Sequence, residues 1–414
     1  MKTNMKTVPP SRPVLAALFV GVAAGFLLCG YEFVRSVSAS LFIGAFGAHR
    51  LPVVMVLSPV GTLAMIYGYG WLLSRMGTRR TLFLTSVFSG VGILLCYAAI
   101  LAQWQVALGV LYVLREAYVV LIIEQYWSFI NSTLKTDQAK KLNGPICGIA
   151  SLGAISGGWL VGQLAQVLGS EQLLIFAGLS LFPAAGCAWW AYRLGGEPTP
   201  QDPVPHQGTL ALGLFRHNRT LIYLALLIAV TQAVSTALEL RFYGLVEMAM
   251  PEKDGRTAFM GDFYSTLNAT ASVFQFLVAP LILRFVPLRG IHVSMPVIHL
   301  MACAVLLGYP ALWTGAAAFL IFKAIDYSVF RAGKEILYIP MSFDARYRAK
   351  EMIDAFVYRG SKGVLAGFFA LLGEIFGRLP GAVYPGLAMV MAGVWGWLGI
   401  KLTGQSSEAS EQTK

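Results

Sequence analysis

The chain has 414 residues, of which 57% are apolar and only 12% are charged. An average soluble domain carries about 25% charged residues, so a soluble enzyme, a nucleic-acid-binding protein and a secreted disulfide-rich protein are all excluded. The net charge of +11 is typical of Lys and Arg enrichment in the cytoplasmic loops of a membrane protein. The composition therefore predicts an all-α polytopic membrane protein.

Apolar segments long enough to cross a bilayer recur about twelve times, since a spanning helix needs about 20 apolar residues. The predicted limits are 14–34, 51–73, 81–101, 105–130, 144–168, 172–193, 220–245, 259–283, 290–309, 311–332, 353–377 and 380–402. The first span is predicted to continue as a broken helix through Arg35 to about Phe46.

The longest polar stretch contains several prolines and separates two sets of six spans. The predicted parts are an N-terminal half (1–194), a cytoplasmic linker (195–219), a C-terminal half (220–403) and a disordered tail (404–414). With the N-terminus inside the cell, about 21 of the 31 Lys and Arg residues are cytoplasmic and only four lie outside. Both termini are therefore predicted to be cytoplasmic.

The distribution of the cysteines and the first residues of the chain indicate the cellular compartment. The five cysteines lie singly inside apolar segments, without a CxxC or Cys/His cluster, so no metal site and no disulfide framework is predicted. The short basic start resembles neither a cleavable signal peptide nor a transit peptide. These features favour the inner membrane of a bacterial cell. No cofactor is predicted.

Ionisable residues inside the spans mark candidate functional positions, because each costs at least about 2.5–3.5 kcal/mol at the bilayer centre. Helical spacing of about 100° per residue groups them into faces. Span one carries Glu32 and Arg35, and span eleven carries Arg359 and Lys362 one turn apart. A transporter with an aqueous cavity needs such charges, whereas a scaffold does not.

Two faces carry most of the other polar candidates. In span four, one arc holds Glu116, Glu124, Trp127 and Asn131. In span seven, a stripe follows the spacing i, i+3, i+4, i+7, i+11. That stripe consists of Gln232, Ser235, Thr236, Glu239 and Tyr243.

Span ten places Lys323 and Asp326 three residues apart, where they can pair. Such a pair can line a cavity or only neutralise itself within the helix bundle, and the same two alternatives apply to Arg115 beside Glu116. The sequence leaves both alternatives open.

The loop between spans two and three carries a motif. It reads Gly70, Ser74, Arg75, Gly77, Arg79 and Arg80 in the pattern G-x-x-x-S-R-x-G-x-R-R. This loop resembles the G-x-x-x-D-R-x-G-R-R motif of the major facilitator superfamily, with Ser74 where that family has Asp. The resemblance, together with two six-helix halves, implies the fold of that superfamily.

Two further segments resemble the nucleotide (ATP/ADP) antiporter family of plastids and intracellular bacteria. The first is Tyr126-Trp127-Ser-Phe129-Ile-Asn131, similar to F-W-x-F-x-N. The second begins at Lys334-Glu335 and continues to Tyr338-Ile339-Pro340, Asp344, Arg346, Arg348, Lys350, Asp354, Arg359 and Lys362. The resemblance implies functional charges at Glu116, Lys350, Arg359 and Lys362.

One departure from that family concerns the first helix, where the family reads roughly L-R-D-T-K-D. Arg35 matches the family's Arg, but Ser36 and Ser38 stand where the family has Asp and Lys. The resemblance therefore implies the fold and the mode of transport more strongly than it implies a nucleotide substrate.

The sequence as a whole predicts a secondary active transporter, not an enzyme, that moves a small anionic organic solute by alternating access with a site at mid-membrane between the halves. Coupling to H+ and exchange for a counter-solute are both left open. Predicted substrate-binding residues are Arg35, Trp127, Asn131, Gln232, Glu239, Lys323, Asp326, Arg359 and Lys362. Predicted coupling or proton-carrying residues are Glu32, Glu116 and Glu124, with Glu239 as a further proton candidate.

Other functions stay open as alternatives: a nucleotide antiporter, a permease for a siderophore or cofactor-like metabolite, or a non-transporting receptor or assembly factor. No Walker A sequence is present, so ATP does not drive transport from within this chain. The predicted partners are the solute and the lipid bilayer, without nucleic acid, and the oligomeric state is left open.

Overall fold

A computed structural model describes residues 11–197, 215, 218–338, 353 and 357–411. Throughout these residues the regular secondary structure is helical, as the composition predicts. The first helices are α1 (Ser11–Phe46), α2 (Leu51–Leu101), α3 (Val106–Thr133), α4 (Thr136–Leu168), α5 (Leu173–Gly195) and α6 (Arg219–Ala249). The later helices are α7 (Lys253–Val273), α8 (Ala279–Phe285), α9 (Leu288–Gly308), α10 (Leu312–Ile325), α11 (Arg331–Tyr338), α12 (Tyr358–Phe376) and α13 (Val383–Glu411).

Three short helical turns join neighbouring helices. A 3-10 turn at Ala48–Arg50 connects α1 to α2. A π-helical turn at Phe274–Val278 joins α7 to α8, and another at Asp326–Phe330 joins α10 to α11. These π turns change the face that the following residues present, because each turn holds more than 3.6 residues.

Ten stretches of the described chain are helices long and apolar enough to cross a membrane. The stretch Ala48–Leu101 has 54 residues and covers the second and third predicted spans, which two crossings of about 20 residues would fit. Gly77 breaks α2 between these spans with φ of 75°, a left-handed conformation that glycine adopts without strain. α12 overlaps the eleventh predicted span but is not one of the ten. The predicted number of twelve therefore stays a prediction.

Helix ends differ from the predicted limits in two places. α1 runs to Phe46 as one continuous helix of 36 residues, whereas a broken helix was predicted. α13 continues to Glu411, whereas the twelfth span was predicted to end at 402 and to be followed by a disordered tail. Glu, Gln and Ala in that segment have good helix propensity and no proline interrupts it, so the helix can extend beyond the end of the apolar stretch. Most of the predicted linker lies outside the described residues.

The chain forms two compact units that do not coincide with the two halves of the sequence. Unit 1 comprises Met1–Leu41, Val60–Pro203 and Lys253–Thr266. Unit 2 comprises Phe42–Pro59, Val204–Glu252 and Leu267–Lys414. The segment that begins α7 therefore packs with α1–α5, and the segment that joins α1 to α2 packs with the later helices.

Small residues let helices approach closely within unit 1, as is common in membrane bundles. On α4, a Cβ on Gly153 would lie 2.6 Å from the Cα of Gly25 in α1. A Cβ on Gly90 of α2 would lie 2.8 Å from the carbonyl oxygen of Gly178 in α5. These contacts place α1 against α4 and the second segment of α2 against α5.

In unit 2, α6 is the most buried membrane-spanning helix of the described chain. It packs against α10, α12 and α13, and α13 also packs against α9. Its polar stripe therefore faces neighbouring helices, which decides how the predicted polar residues are arranged.

Candidate functional site

The first cluster of buried charges, in unit 1, is centred on Arg115 of α3, whose side chain is only 1% exposed. Its Nη1 donates hydrogen bonds to the carbonyl oxygen of Arg35 at 2.7 Å and to Ser38 Oγ at 2.8 Å. Its Nε lies 3.3 Å from Glu116 Oε1, and its guanidinium carbon lies 3.8 Å from the centre of the Tyr112 ring. Arg115 therefore places a positive charge against Ser38 of α1.

Arg35 belongs to the same cluster. Its Nη1 lies 3.6 Å from Glu32 Oε1, and its guanidinium carbon lies 3.6 Å from the centre of the Tyr264 ring. Tyr264 comes from α7, in the part of that helix that belongs to unit 1. Desolvated cation–π contacts of this kind contribute about 2 kcal/mol. The cluster thus joins two arginines and two glutamates between aromatic side chains.

A third arginine contacts α1 one turn further along. Arg256 of α7 is buried, and it donates from Nε to Ser40 Oγ at 3.1 Å and from Nη2 to the Ser40 carbonyl oxygen at 2.8 Å. Arg256 is one of the four Lys and Arg residues that the charge distribution predicts to lie outside, and that prediction gives no sign of this contact. Ser38 and Ser40 each accept a hydrogen bond from an arginine of another helix, which sequence spacing alone does not indicate.

The second cluster lies in unit 2 on the stripe of α6. All five members of that stripe are buried, including Glu239, which is 4% exposed. Glu239 Oε2 lies 3.3 Å from Lys362 Nζ of α12. The side-chain nitrogen of Gln232 is buried and has no hydrogen-bond partner within the described part of the chain. This stripe offers both charged groups and an unused amide donor.

The expected ion pair between Lys323 and Asp326 does not form. Both residues are buried, but the ammonium of Lys323 lies 5.4–5.9 Å from the ring centres of Tyr327, Phe319 and Phe322. The backbone stays helical across this pair, because the amide of Asp326 donates to the carbonyl oxygens of Lys323 and Phe322. Lys323 is thus placed among aromatic rings.

The predicted face of α3 is divided by the structure. Glu116 joins the arginine cluster, whereas Glu124 and Asn131 are exposed and Trp127 is half-buried. Glu124 has no ion pair or hydrogen bond to another described residue. On α12, Arg359 is half-buried one turn before Lys362. The predicted residues Lys350, Arg346, Arg348, Asp344 and Asp354 lie outside the described residues.

Comparison with known proteins extends this description, although no family model matches the chain. The chain is 25% identical over 346 residues to ADP,ATP carrier protein 1 of Chlamydia trachomatis, covering 71% of this chain and 63% of that protein. It is 26% identical over 333 residues to ADP,ATP carrier protein 1, chloroplastic, of Arabidopsis thaliana, covering 71% and 52%. The chain therefore spans less than two thirds of the length of these relatives. These matches confirm the predicted resemblance at a low level of similarity.

Solved structures show the fold. The bacterial homologue of the iron transporter ferroportin matches with a TM-score of 0.68 at 12% identity, over 94% of this chain and 99% of that chain. An auto-inhibited POT family peptide transporter matches with 0.65 at 13%, over 94% and 96%. The nucleoside transporter NupG matches with 0.64 at 14%, over 94% and 98%. The chain is therefore a multi-pass membrane protein with a major facilitator-like fold and a weak sequence similarity to ADP,ATP carriers.

Proposed function

We propose that this protein is a secondary active transporter that moves a small anionic organic solute across the inner membrane of a bacterial cell by alternating access. The observation that carries the proposal is that each unit holds its own cluster of buried and half-buried charges of both signs on its helices. Buried charge is costly in a membrane, and a purely structural protein gains nothing that offsets this cost. The relatives in sequence are carriers rather than enzymes.

Within unit 1, the anionic group of the solute is assigned to Arg35 and Arg115. Within unit 2, the basic candidates are Arg359 and Lys362. A guanidinium presents several donors in a fixed plane and binds carboxylate or phosphate in a bidentate manner. The tyrosine rings beside both arginines exclude water and strengthen the attraction to an anion. Within unit 2, the buried amide of Gln232 is a neutral hydrogen-bond donor.

Glu32 and Glu116 are the proposed coupling residues, because each lies beside an arginine for which an incoming anion would compete. When the anion binds the arginine, the glutamate loses its counter-charge, and this loss is the proposed link between solute binding and coupling. The exposed Glu124 lacks such a partner and becomes a weaker candidate than the sequence suggested.

Exchange of nucleotides is the second candidate function. It is favoured by the sequence similarity to ADP,ATP carriers and by the position of Arg115. Where those carriers have Lys in the first helix, this chain has Ser38, and the hydroxyl of Ser38 accepts a hydrogen bond from Arg115. The positive charge is thus supplied from α3 instead of α1, and a phosphate group would still meet a cation there.

The test measures uptake by the full-length protein in proteoliposomes, with labelled ATP and ADP, phosphorylated metabolites, organic acids and siderophores as solutes. Arg115→Gln is expected to lower uptake of the transported solute about tenfold or more, since hydrogen bonds to charged groups contribute about 1.5–3 kcal/mol. The double variant Ser38→Lys with Arg115→Gln is expected to regain uptake, because it returns the positive charge to α1.

The control variant is Arg289→Gln, which removes an exposed arginine at the start of α9. Thermal unfolding of every variant separates loss of folding from loss of transport. If Arg115 only stabilises the packing of α3 against α1, the double variant will not regain uptake. The assignment of the anionic group of the solute to Arg115 then fails. The transporter proposal itself fails on a combination of two results. The first is that the unmodified protein takes up no solute. The second is that no solute changes the unfolding temperature of the unmodified protein, of Gln232→Ala or of Arg35→Gln.

A further inference from the structure

A cavity of about 580 Å³ lies in unit 1 between the second segment of α2 and α5, and none of its lining residues belongs to either charge cluster. It is within the range of about 300–1,000 Å³ that is usual for ligand pockets. Phe83 and Leu84 of α2 and Trp189 and Trp190 of α5 form most of its lining. Phe83 and Trp190 are exposed at 37% and 54%, so the cavity is an open groove on the surface of the unit.

The residues that line the groove have the same sequence spacing on both helices. On α2 its residues Arg80, Phe83 and Leu84 follow the pattern i, i+3, i+4, which places them on one helix face. On α5, Gly186, Trp189 and Trp190 follow the same pattern. A Cβ on Gly186 would meet no atom within 4 Å, so glycine leaves the floor of the groove open. The groove is apolar along its length and carries an arginine at one end.

The arginine end of the groove is strongly positive. Arg75, Arg79 and Arg80 come from the motif around Gly77, and Arg193 comes from the last turn of α5. Arg79 lies 3.4 Å from Glu197, and Arg193 lies 5.3 Å from the ring of Trp190. Arg80 is exposed and has no ion pair or hydrogen bond to any residue that the structure describes. Ser74, where related loops carry Asp, adds no negative charge.

We propose that this groove binds an anionic phospholipid of the cytoplasmic leaflet, with its phosphate at Arg80 and one acyl chain along Phe83, Trp189 and Gly186. The excess of arginine over carboxylate complements an anionic headgroup, and an apolar groove open to the membrane complements an acyl chain. Basic pockets between membrane helices on the cytoplasmic side bind such headgroups, and each basic residue contributes about 1 kcal/mol of attraction. The predicted cytoplasmic position of this loop places Arg80 at headgroup level.

The test titrates the full-length protein in neutral detergent with phosphatidylglycerol, phosphatidylcholine or sodium phosphate. Bound lipid is counted by native mass spectrometry, and the unfolding temperature is measured in parallel. Phosphatidylglycerol is expected to be retained and to stabilise the protein, whereas phosphatidylcholine and sodium phosphate are not. Equal retention of phosphatidylcholine overturns the proposal, since it would show that the negative charge of the lipid is not recognised. Equal stabilisation by sodium phosphate also overturns it, since it would show that the acyl chain is not recognised.

Two variants test the two ends of the groove separately. Arg80→Gln is expected to weaken phosphatidylglycerol binding about fivefold, which corresponds to one basic contact. Gly186→Leu adds an apolar side chain to the acyl path, at a position where a Cβ meets no atom within 4 Å, and it leaves every charge in place. It is therefore expected to reduce retention at least as much. Arg289→Gln is the control and is expected to bind as the unmodified protein does. If both groove variants retain lipid normally, or if the control loses as much, the groove is not the binding site.

Discussion

Glu239 and Lys362 show at the residue scale how burial decides what a charge pair contributes. The side chain of Glu239 is 6% exposed and that of Lys362 is 27% exposed, and the two charged atoms are 3.3 Å apart. Removing one partner of such a pair leaves the other charge without compensation in a medium of low dielectric constant, which costs about 2 kcal/mol or more. An exposed pair is screened by water and contributes about 0–1 kcal/mol.

A double-mutant cycle on this pair is our residue-scale prediction. Glu239→Gln and Lys362→Gln are each expected to lower the free energy of unfolding by about 2 kcal/mol, and the double variant is expected to regain part of the loss. The matched control is the pair between Arg50 and Glu374, whose side chains are 50% and 61% exposed. Chemical or thermal unfolding of the seven proteins, which share one unmodified reference, gives both coupling energies. A coupling energy at the exposed pair as large as that at Glu239 would contradict the expectation.

Lys323 gives a second example at the residue scale. Its spacing from Asp326 allows an ion pair between the two side chains, and the structure does not contain that ion pair. Three residues along a helix bring two side chains onto one face, and the backbone stays helical from Lys323 to Asp326. The ammonium nevertheless lies beside aromatic rings, whose faces attract cations. Helical spacing thus makes an ion pair possible, and the surrounding side chains decide whether a buried charge forms it.

At the scale of helices, glycines in α4 have different roles although they form one small-residue pattern in the sequence. A Cβ on Gly157 would lie 2.7 Å from the Cα of Cys29 in α1, which is shorter than any ordinary contact. A Cβ on Gly148 would meet nothing within 4 Å. Only the first of these glycines is therefore required for the close approach of α1 and α4.

The element-scale prediction compares alanine at these two positions. Gly157→Ala is expected to lower the free energy of unfolding by about 1–3 kcal/mol, because the added methyl group forces two backbones apart. Gly148→Ala is expected to be neutral or to stabilise by up to about 1 kcal/mol, since alanine has the higher helix propensity. Thermal unfolding of the purified variants measures both. Equal destabilisation by the two substitutions would show that the α1–α4 contact is not the cause.

At the scale of the whole molecule, each compact unit contains segments from both halves of the sequence. The segment Lys253–Thr266 follows α6 in the chain but contributes Arg256 and Tyr264 to unit 1. Its Asp254 Oδ1 accepts a hydrogen bond from the backbone nitrogen of Ser170 at 2.7 Å. The segment Phe42–Pro59, at the end of α1 and the start of α2, belongs to unit 2. Each half of the sequence therefore contributes one segment to the unit formed mainly by the other half.

The prediction at this scale is the number of membrane crossings. If Gly77 separates two crossings within α2, alkaline phosphatase fused after Gln103 lies outside the inner membrane and is active. If twelve spans are present in total, green fluorescent protein fused to the C-terminus fluoresces in the cytoplasm, and alkaline phosphatase fused there is inactive. Alkaline phosphatase fused after Glu252 is the positive control. Phosphatase activity at the C-terminus would show an odd number of crossings.

The sequence by itself determined the class of protein, the approximate limits of most spans and many of the charges inside them, although it missed the buried Arg256. These properties are local, since about 20 consecutive apolar residues are enough to define a crossing and a charge inside that window is visible directly. The resemblance to nucleotide antiporters also came from short segments whose spacing is read along the chain. Gly77 lay in a recognised motif, so its place between two spans was predictable even though its conformation was not.

Only the tertiary structure decided which of these charges meet. Arg115 and Ser38 are 77 residues apart in sequence, and their hydrogen bond depends on how α1 and α3 pack. The same holds for Arg35 against Tyr264 and for Glu239 against Lys362. A hydrophobic pattern specifies that a helix crosses the membrane, but lipid and protein are both apolar surroundings, so the pattern carries little information about which face meets which neighbour. Close packing and hydrogen bonding between distant residues supply that information.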